Sequence, residues 1–242
     1  MITGIVIALP EELGTLTSKK IEKGHCVFIA DKLLVTYSGA GSENAQAAAE
    51  LLTSKGITQL ISWGCAAALD ETLKPGDLTL ADTLIDSDNT RIDIDSDWHR
   101  YSKNLLSKVL TVHTGRLAES KSIVSTSNDK QQLQSATGAI ALDMESVAVA
   151  KVARQHALPF LAIRAIVDPV SMDLPQAINH ALDDQGDIVL SKLLLFIAQH
   201  PAELPGLIRL GLYFNAAKNT LKLVAKYLDN VASFDLPNTK TV

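Results

Sequence analysis

An arginine and an aspartate stand four residues apart in Ile163-Arg164-Ala165-Ile166-Val167-Asp168-Pro169. The apolar, β-rich run 160–167 predicts a buried strand, and a buried arginine is costly unless it is paired. Asp168 ends that strand, where α/β folds tend to bind ligands. A carboxyl in such a partly dry place has a raised pKa and can act as an acid near neutrality; a turn cap before Pro169 is the simpler role. A second group lies in Ala141-Leu142-Asp143-Met144-Glu145-Ser146. Asp143 reads as a helix N-cap. Glu145, in the first turn, either favours the helix dipole or grips both hydroxyls of a ribose.

Two small-residue turns accompany these groups. Ser38-Gly39-Ala40-Gly41-Ser42-Glu43-Asn44-Ala45 links a strand to a helix, and its glycines free backbone N–H groups for an anion at the helix start. As a dinucleotide fingerprint it fails, because the third glycine would fall at Asn44, and this argues against a nicotinamide-dependent oxidoreductase. Trp63-Gly64-Cys65-Ala66-Ala67-Ala68-Leu69 lets something approach the backbone closely, either a ligand or a packed helix. Cys65 has no histidine beside it in sequence, so a buried structural cysteine is the simpler reading. The acidic stretch 86–101 lacks the glycine and terminal glutamate of a calcium loop and is expected as a surface excursion.

These groups need a frame. Strands are expected at 2–9, 26–30, 33–38, 58–63, 78–85, 139–142 and 160–167, with helices at 43–54, 145–156 and 187–199. Apolar strands alternating with helices indicate a sheet covered on both faces. The expected fold is a three-layer α/β/α domain over 1–200 with a central mixed sheet, followed by a C-terminal helical extension over 201–242.

The 242 residues are 47% hydrophobic and carry a net charge of -5. The sequence pI is about 5.7, which argues against a nucleic-acid binder and leaves a small molecule as the default substrate. Two cysteines without metal spacing and no secretory pattern suggest the cytoplasm. No run of about 18 apolar residues predicts a membrane span. Between Leu204 and Leu228 there is no acidic residue, while Arg209, Lys218, Lys222 and Lys226 are basic. Leu207, Leu210, Phe214, Ala217, Leu221, Val224 and Leu228 share one helical face. That face either packs on the domain or a partner subunit, or lies on an anionic membrane surface.

In their order along the chain, the segments 38–45, 63–69, 141–146 and 163–169 resemble the nucleoside phosphorylase superfamily, particularly its methylthioadenosine/S-adenosylhomocysteine nucleosidase branch. The opening Gly4-Ile5-Val6-Ile7-Ala8-Leu9-Pro10-Glu11-Glu12-Leu13 is similar to that family's first strand and acidic turn. Asp168-Pro169, Asp173-Leu174-Pro175 and His200-Pro201-Ala202-Glu203-Leu204-Pro205-Gly206-Leu207 resemble the hopanoid-associated branch. That resemblance implies removal of adenine from adenosylhopane, a lipid-linked nucleoside. It implies that Asp168 meets purine N7, that Met144 and Glu145 bind the ribose, and that Glu12 orients or deprotonates an attacking water. Arg164 would hold Glu12 and the nucleophile, and Gly64 and Cys65 would contact the nucleophile side of the sugar. No metal or organic cofactor is implied, phosphate is an alternative co-substrate, and a homo-oligomer is expected.

Three departures bear on this. Cys65 stands where the family usually has serine, the loop 123–129 lacks the aromatic that often stacks on the base, and Ser62 falls near a position where phosphorolytic members carry arginine. With Glu12 present, the last departure favours water as nucleophile. The remaining alternatives are a methylthioadenosine/S-adenosylhomocysteine-type nucleosidase, a general purine nucleoside phosphorylase, and a binding protein of the same fold that has lost catalysis.

Overall fold

The computed structural model of the chain describes residues 1–94, 96–181 and 190–234. The elements run β1 (Thr3–Ile7), α1 (Pro10–Leu13), β2 (Cys26–Ala30), β3 (Leu33–Tyr37), α2 (Ser42–Ser54), β4 (Gln59–Ala68), β5 (Leu78–Ile85) and β6 (Arg91–Asp93). They continue α3 (Ser96–Leu106), β7 (Val112–Glu119), α4 (Ser127–Thr137), β8 (Ala141–Asp143), α5 (Ser146–Gln155) and β9 (Phe160–Asp168). Last come α6 (Gln176–Ala181), α7 (Leu190–Gln199), a 3-10 turn (Pro201–Glu203), α8 (Leu204–Ala225) and α9 (Leu228–Ala232).

The sheet is mixed, as expected. β1 runs parallel to both β3 and β4, with Ile5 opposite Val35 and Ile61. All five β1 residues are buried, which suits its β-branched run. β9 lies between β4 and β5, parallel to the first and antiparallel to the second. β5 also pairs with β7, β7 with β8, and β8 with the far end of β4. The strands β4, β9, β5, β7 and β8 therefore close into a ring that leaves no free edge among them. A register shift between Ala66 and Ala67 places Val167 out of pair on β9, and such a bulge re-aims the strand end that carries Asp168.

Helices cover this sheet in a three-layer α/β/α arrangement. Ala45, Ala48, Ala49 and Leu52 form the buried stripe of α2, which packs against α5 and β1. α8 packs on β9 through Ala217, Leu221 and Val224. The C-terminal helices are also stitched to the sheet by polar contacts. The side chain of Gln59 donates to the Ala232 carbonyl at 2.7 Å, and the indole N–H of Trp98 donates to that of Val231 at 2.8 Å.

Several expectations need correction. β4 does not stop at Gly64 but runs on to Ala68, because β9 supplies partners from Leu60 to Ala67 and β8 pairs with Ala67 and Ala68. Within 86–101, expected as a surface excursion, β6 pairs with β5, and α3 buries Trp98 completely. Asp86 closes the β5–β6 turn by accepting the Asp88 and Thr90 N–H groups, and it pairs with Lys151 at 3.1 Å. The strand β7 and the helices α1, α3, α4 and α6 were not anticipated. Of the helix expected at 187–199, α7 forms the part from Leu190, and 187–189 lie outside the described residues.

Candidate active site

The first cluster of charged groups starts at the β1–α1 junction. Glu12 is the third residue of α1, and its carboxylate reaches back to accept the Leu9 N–H at 3.1 Å. Its other oxygen accepts the Cys65 N–H from β4 at 2.7 Å. A Cβ built on Gly64 would lie 2.6 Å from Glu12 Oε1, so glycine is what admits the carboxylate to the strand. The small-residue segment 63–69 thus receives Glu12 from its own chain. Glu12 is buried, and burial raises its pKa against the opposing charge of Arg164 and the two backbone donors. Burial and the neighbouring Glu12 push the Cys65 thiol well above its usual range, so it is not an activated thiolate.

Arg164 lies in the middle of β9 and is buried. Its guanidinium donates through Nε to Asp143 at 2.7 Å, through Nη2 to Ser62 at 2.6 Å and through Nη1 to the Ile163 carbonyl at 3.0 Å. These bonds differ from the expected clamp on Glu12. Arg164 acts on Glu12 through its charge, while Asp143 is its direct partner. Desolvation opposes the arginine's charge, but Asp143, Glu12 and Glu145 more than offset it and raise its pKa. Asp143 serves two purposes, since it also accepts the Ser146 N–H at the start of α5 (3.2 Å). Ser62 is thereby occupied by Arg164, which explains a small hydroxyl at that position.

Glu145 completes this cluster. The Gly41 N–H donates to its Oε1 at 2.8 Å, and the Met144 N–H to its Oε2 at 3.3 Å. Gly41 has φ 94°, which turns its N–H toward the carboxylate in a conformation other residues rarely adopt. The glycine-rich turn therefore holds a carboxylate of the protein. Burial and then Asp143 push Glu145 up to about 7. Met144 and Glu145 are both half-buried at this junction.

Asp168 sits four residues beyond Arg164, about 13 Å along the strand at the usual rise. Its Oδ2 accepts from Lys130 of α4, a residue the sequence reading did not single out. Lys130 is fully buried and also donates to the carbonyls of Met172 (2.8 Å) and Pro169 (3.2 Å). Burial raises the Asp168 pKa, and Lys130 opposes the rise. The signal for α4 lay in Thr126, whose hydroxyl caps the helix by accepting the Asp129 N–H at 3.1 Å.

The structure thus brings Glu12, Gly64, Cys65, Met144, Glu145 and Arg164 to one region of the sheet and puts Asp168 at the end of β9. The chain belongs to the phosphorylase superfamily, whose model matches residues 3–193. It is similar to the 5'-methylthioadenosine/S-adenosylhomocysteine nucleosidase of Staphylococcus aureus, at 29% identity over 68% of this chain and 85% of that protein. The fold is similar to that of the Helicobacter pylori enzyme of the same name, with a TM-score of 0.70 at 18% identity over 95% of this chain and 96% of the other. It is also similar to that of the Helicobacter pylori futalosine hydrolase, with a TM-score of 0.69 at 18% identity and the same two coverages.

Proposed function

We propose that this protein cleaves the N-ribosidic bond of a 5'-substituted adenine nucleoside and releases adenine, with adenosylhopane of hopanoid biosynthesis as its substrate. The observation that carries the cleavage is the division of carboxyls. Glu12 and Glu145 lie with Arg164, while Asp168 stands apart at the end of the same strand. Bond breaking leaves positive charge on the ribose and negative charge on the base. Protonated Asp168 gives its proton to N7 as the C1'–N9 electrons move into the purine. Ionised Glu12 takes a proton from water as its oxygen bonds C1', and Glu145 holds the ribose hydroxyls. The acid and the base thus act on opposite sides of the bond. Water is the nucleophile in this scheme, and phosphate is the alternative. No metal or organic cofactor enters any step.

The lipid substituent is supported by the surface beside the site. No helix among the described residues is long and apolar enough to cross a membrane. The first half of α8 buries no residue, and Ile208 and Leu212 are more than half exposed, as are Leu194 and Leu195 of α7. Leu207, Leu210 and Phe214 are half-buried. A Cβ on Gly206 would lie 3.1 Å from Pro175, so this apolar end of α8 abuts the chain that follows Asp168. Arg209, exposed on the same helix, suits an anionic surface. We place the protein at the inner face of the membrane, as a cytoplasmic homo-oligomer.

Adenine release from adenosylhopane and from methylthioadenosine, each with and without phosphate, tests this. Release from the lipid substrate alone supports the hopanoid reading. Dependence on phosphate makes the enzyme a phosphorylase. Release from the soluble nucleoside alone favours the activity named for the Staphylococcus aureus relative. Release from neither, with Asp168→Asn behaving like wild type, leaves a binding protein.

A further inference from the structure

Lys130 is the one buried residue of α4, on a helix otherwise made of exposed and half-exposed side chains. An unpaired lysine in that position would be expelled or neutralised, because the charged form is costly to desolvate. Here its three protons meet three acceptors: Asp168 Oδ2 and the carbonyls of Pro169 and Met172. Two of these acceptors belong to the turn after β9, and the third is the carboxyl assigned to the leaving base. An oxygen that accepts from an ammonium is a poor place for a proton. The transferable proton of Asp168 therefore belongs on Oδ1.

We propose that Lys130 is a positioning residue for the leaving-base acid: it holds Asp168 by Oδ2, directs the proton to Oδ1, and stabilises the carboxylate left when that proton has passed to the purine. This inference rests on the proposed role of Asp168. In the step concerned, the C1'–N9 bond breaks, its electron pair goes to the base, and the Oδ1 proton bonds N7. Asp168 becomes an anion already paired with a cation, so charge separation at the acid is offset as it develops. Lys130 keeps all its protons throughout, and solvent reprotonates Asp168 after adenine leaves.

Of the other charged groups on the elements around Asp168, Asp143 of β8 is engaged by Arg164, and Asp173 accepts the Ser127 N–H at 2.6 Å. Asp129 of α4 is engaged by Thr126, and Lys218 of α8 acts on Cys65. Among the described residues, Lys130 is the charged side chain acting directly on the Asp168 carboxyl.

The test is the pH profile of adenine release by wild type, Lys130→Met, Lys130→Arg and Asp168→Asn, on adenosylhopane and methylthioadenosine. Loss of the cation lets burial raise Asp168 further. The basic limb of kcat, set by the protonated acid, then moves up by about one unit or more. In Lys130→Met, kcat itself falls about tenfold to a hundredfold, part of the usual contribution of a general acid. Lys130→Arg restores much of both. If Lys130→Met does not fold, Lys130→Gln, which keeps donors without charge, carries the same expectation.

An unmoved limb overturns the proposal, whether kcat stays at the wild-type value or falls equally in the methionine and arginine variants; the latter marks a purely structural staple. In either case an inactive Asp168→Asn leaves the proposed function standing. Full activity in Asp168→Asn, or no release by the wild type, overturns the function and the Lys130 proposal with it.

Discussion

The carboxylate of Glu12 rests on the backbone of Gly64, with both oxygens within 2.8 Å of where a Cβ would stand. Those oxygens are also held by the Leu9 and Cys65 N–H groups, so moving the carboxylate away from Gly64 breaks two hydrogen bonds. Gly64→Ala should therefore displace Glu12. Overpacking of this kind costs about 1–3 kcal/mol of stability, and denaturant unfolding will read it. With Glu12 as the proposed base, its displacement should lower kcat/KM by about a hundredfold, as misplacement by an ångström commonly does. A fully active Gly64→Ala would show that Glu12 need not stay where it is.

Replacing Glu12 by glutamine separates charge from shape. The amide oxygen still accepts one backbone N–H, and the space over Gly64 stays filled. Loss of a general base should cost about 10²–10⁴ in kcat. KM should change little, since the residue is assigned to the water and not to the nucleoside. Steady-state adenine release checks both parts, and a raised KM with unchanged kcat would move Glu12 from chemistry to binding.

Arg164 and Asp143 form a buried pair whose members are each needed by the other. Arg164→Met leaves Asp143 buried without its cation and should cost about 3–5 kcal/mol. Adding Asp143→Asn should recover part of that loss, because the unpaired charge is gone. Activity should not return with it, since Glu12 and Glu145 still lack the positive charge that acts on both. Chemical denaturation and adenine release of the two variants test this, and an active double variant would reduce Arg164 to scaffolding.

How much of this was legible in the residues follows from burial. β1 and β9 are read easily because continuous apolar runs mark strands covered on both faces. Arg164 and Asp168 stand out because charges in such runs demand a reason. Lys130 left no such mark: α4 is polar, with no apolar stripe, and its buried residue is a lysine. Only the partner across the fold, Asp168, reveals why it is inside. The same holds for Asp143: expected as the N-cap of α5, it instead ends β8 and accepts the Ser146 N–H from there, while Glu145 takes the cap position, and its pairing with Arg164, 21 residues on, leaves no mark in the sequence. α3 was hidden by an acidic neighbourhood, although Trp98 lies completely buried within it.

Glu145 makes stability depend on pH in a definite direction. Its pKa is pushed from an ordinary 4.5 up to about 7 in the folded chain. Between those values the folded state holds a proton that the unfolded state has lost. Folding stability therefore falls as pH rises from about 4.5 to 7 and levels off above. Glu12 and Asp168, also raised by burial, act in the same sense. Glu145→Gln removes one of these contributions. Its melting temperature should decline less across that window than that of the wild type, and the difference should be largest above pH 7. Parallel melting curves for the two proteins would mean that Glu145 is not held in a raised state.

The exposed half of α8 provides the remaining prediction. Ile208 is 56% and Leu212 65% exposed, so replacing both by serine should alter folding stability by no more than about 0.5 kcal/mol each. On a lipid surface the same side chains would be buried, and each would contribute about 1.5–3 kcal/mol. The double variant should then bind anionic vesicles at least about a hundredfold more weakly, since about 1.4 kcal/mol is tenfold. Its turnover of adenosylhopane carried in those vesicles should fall in step, while its turnover of methylthioadenosine in solution should match wild type. Equal loss on both substrates would mean that this part of α8 supports the fold of the site. Unchanged vesicle binding would assign Ile208 and Leu212 to a contact other than lipid.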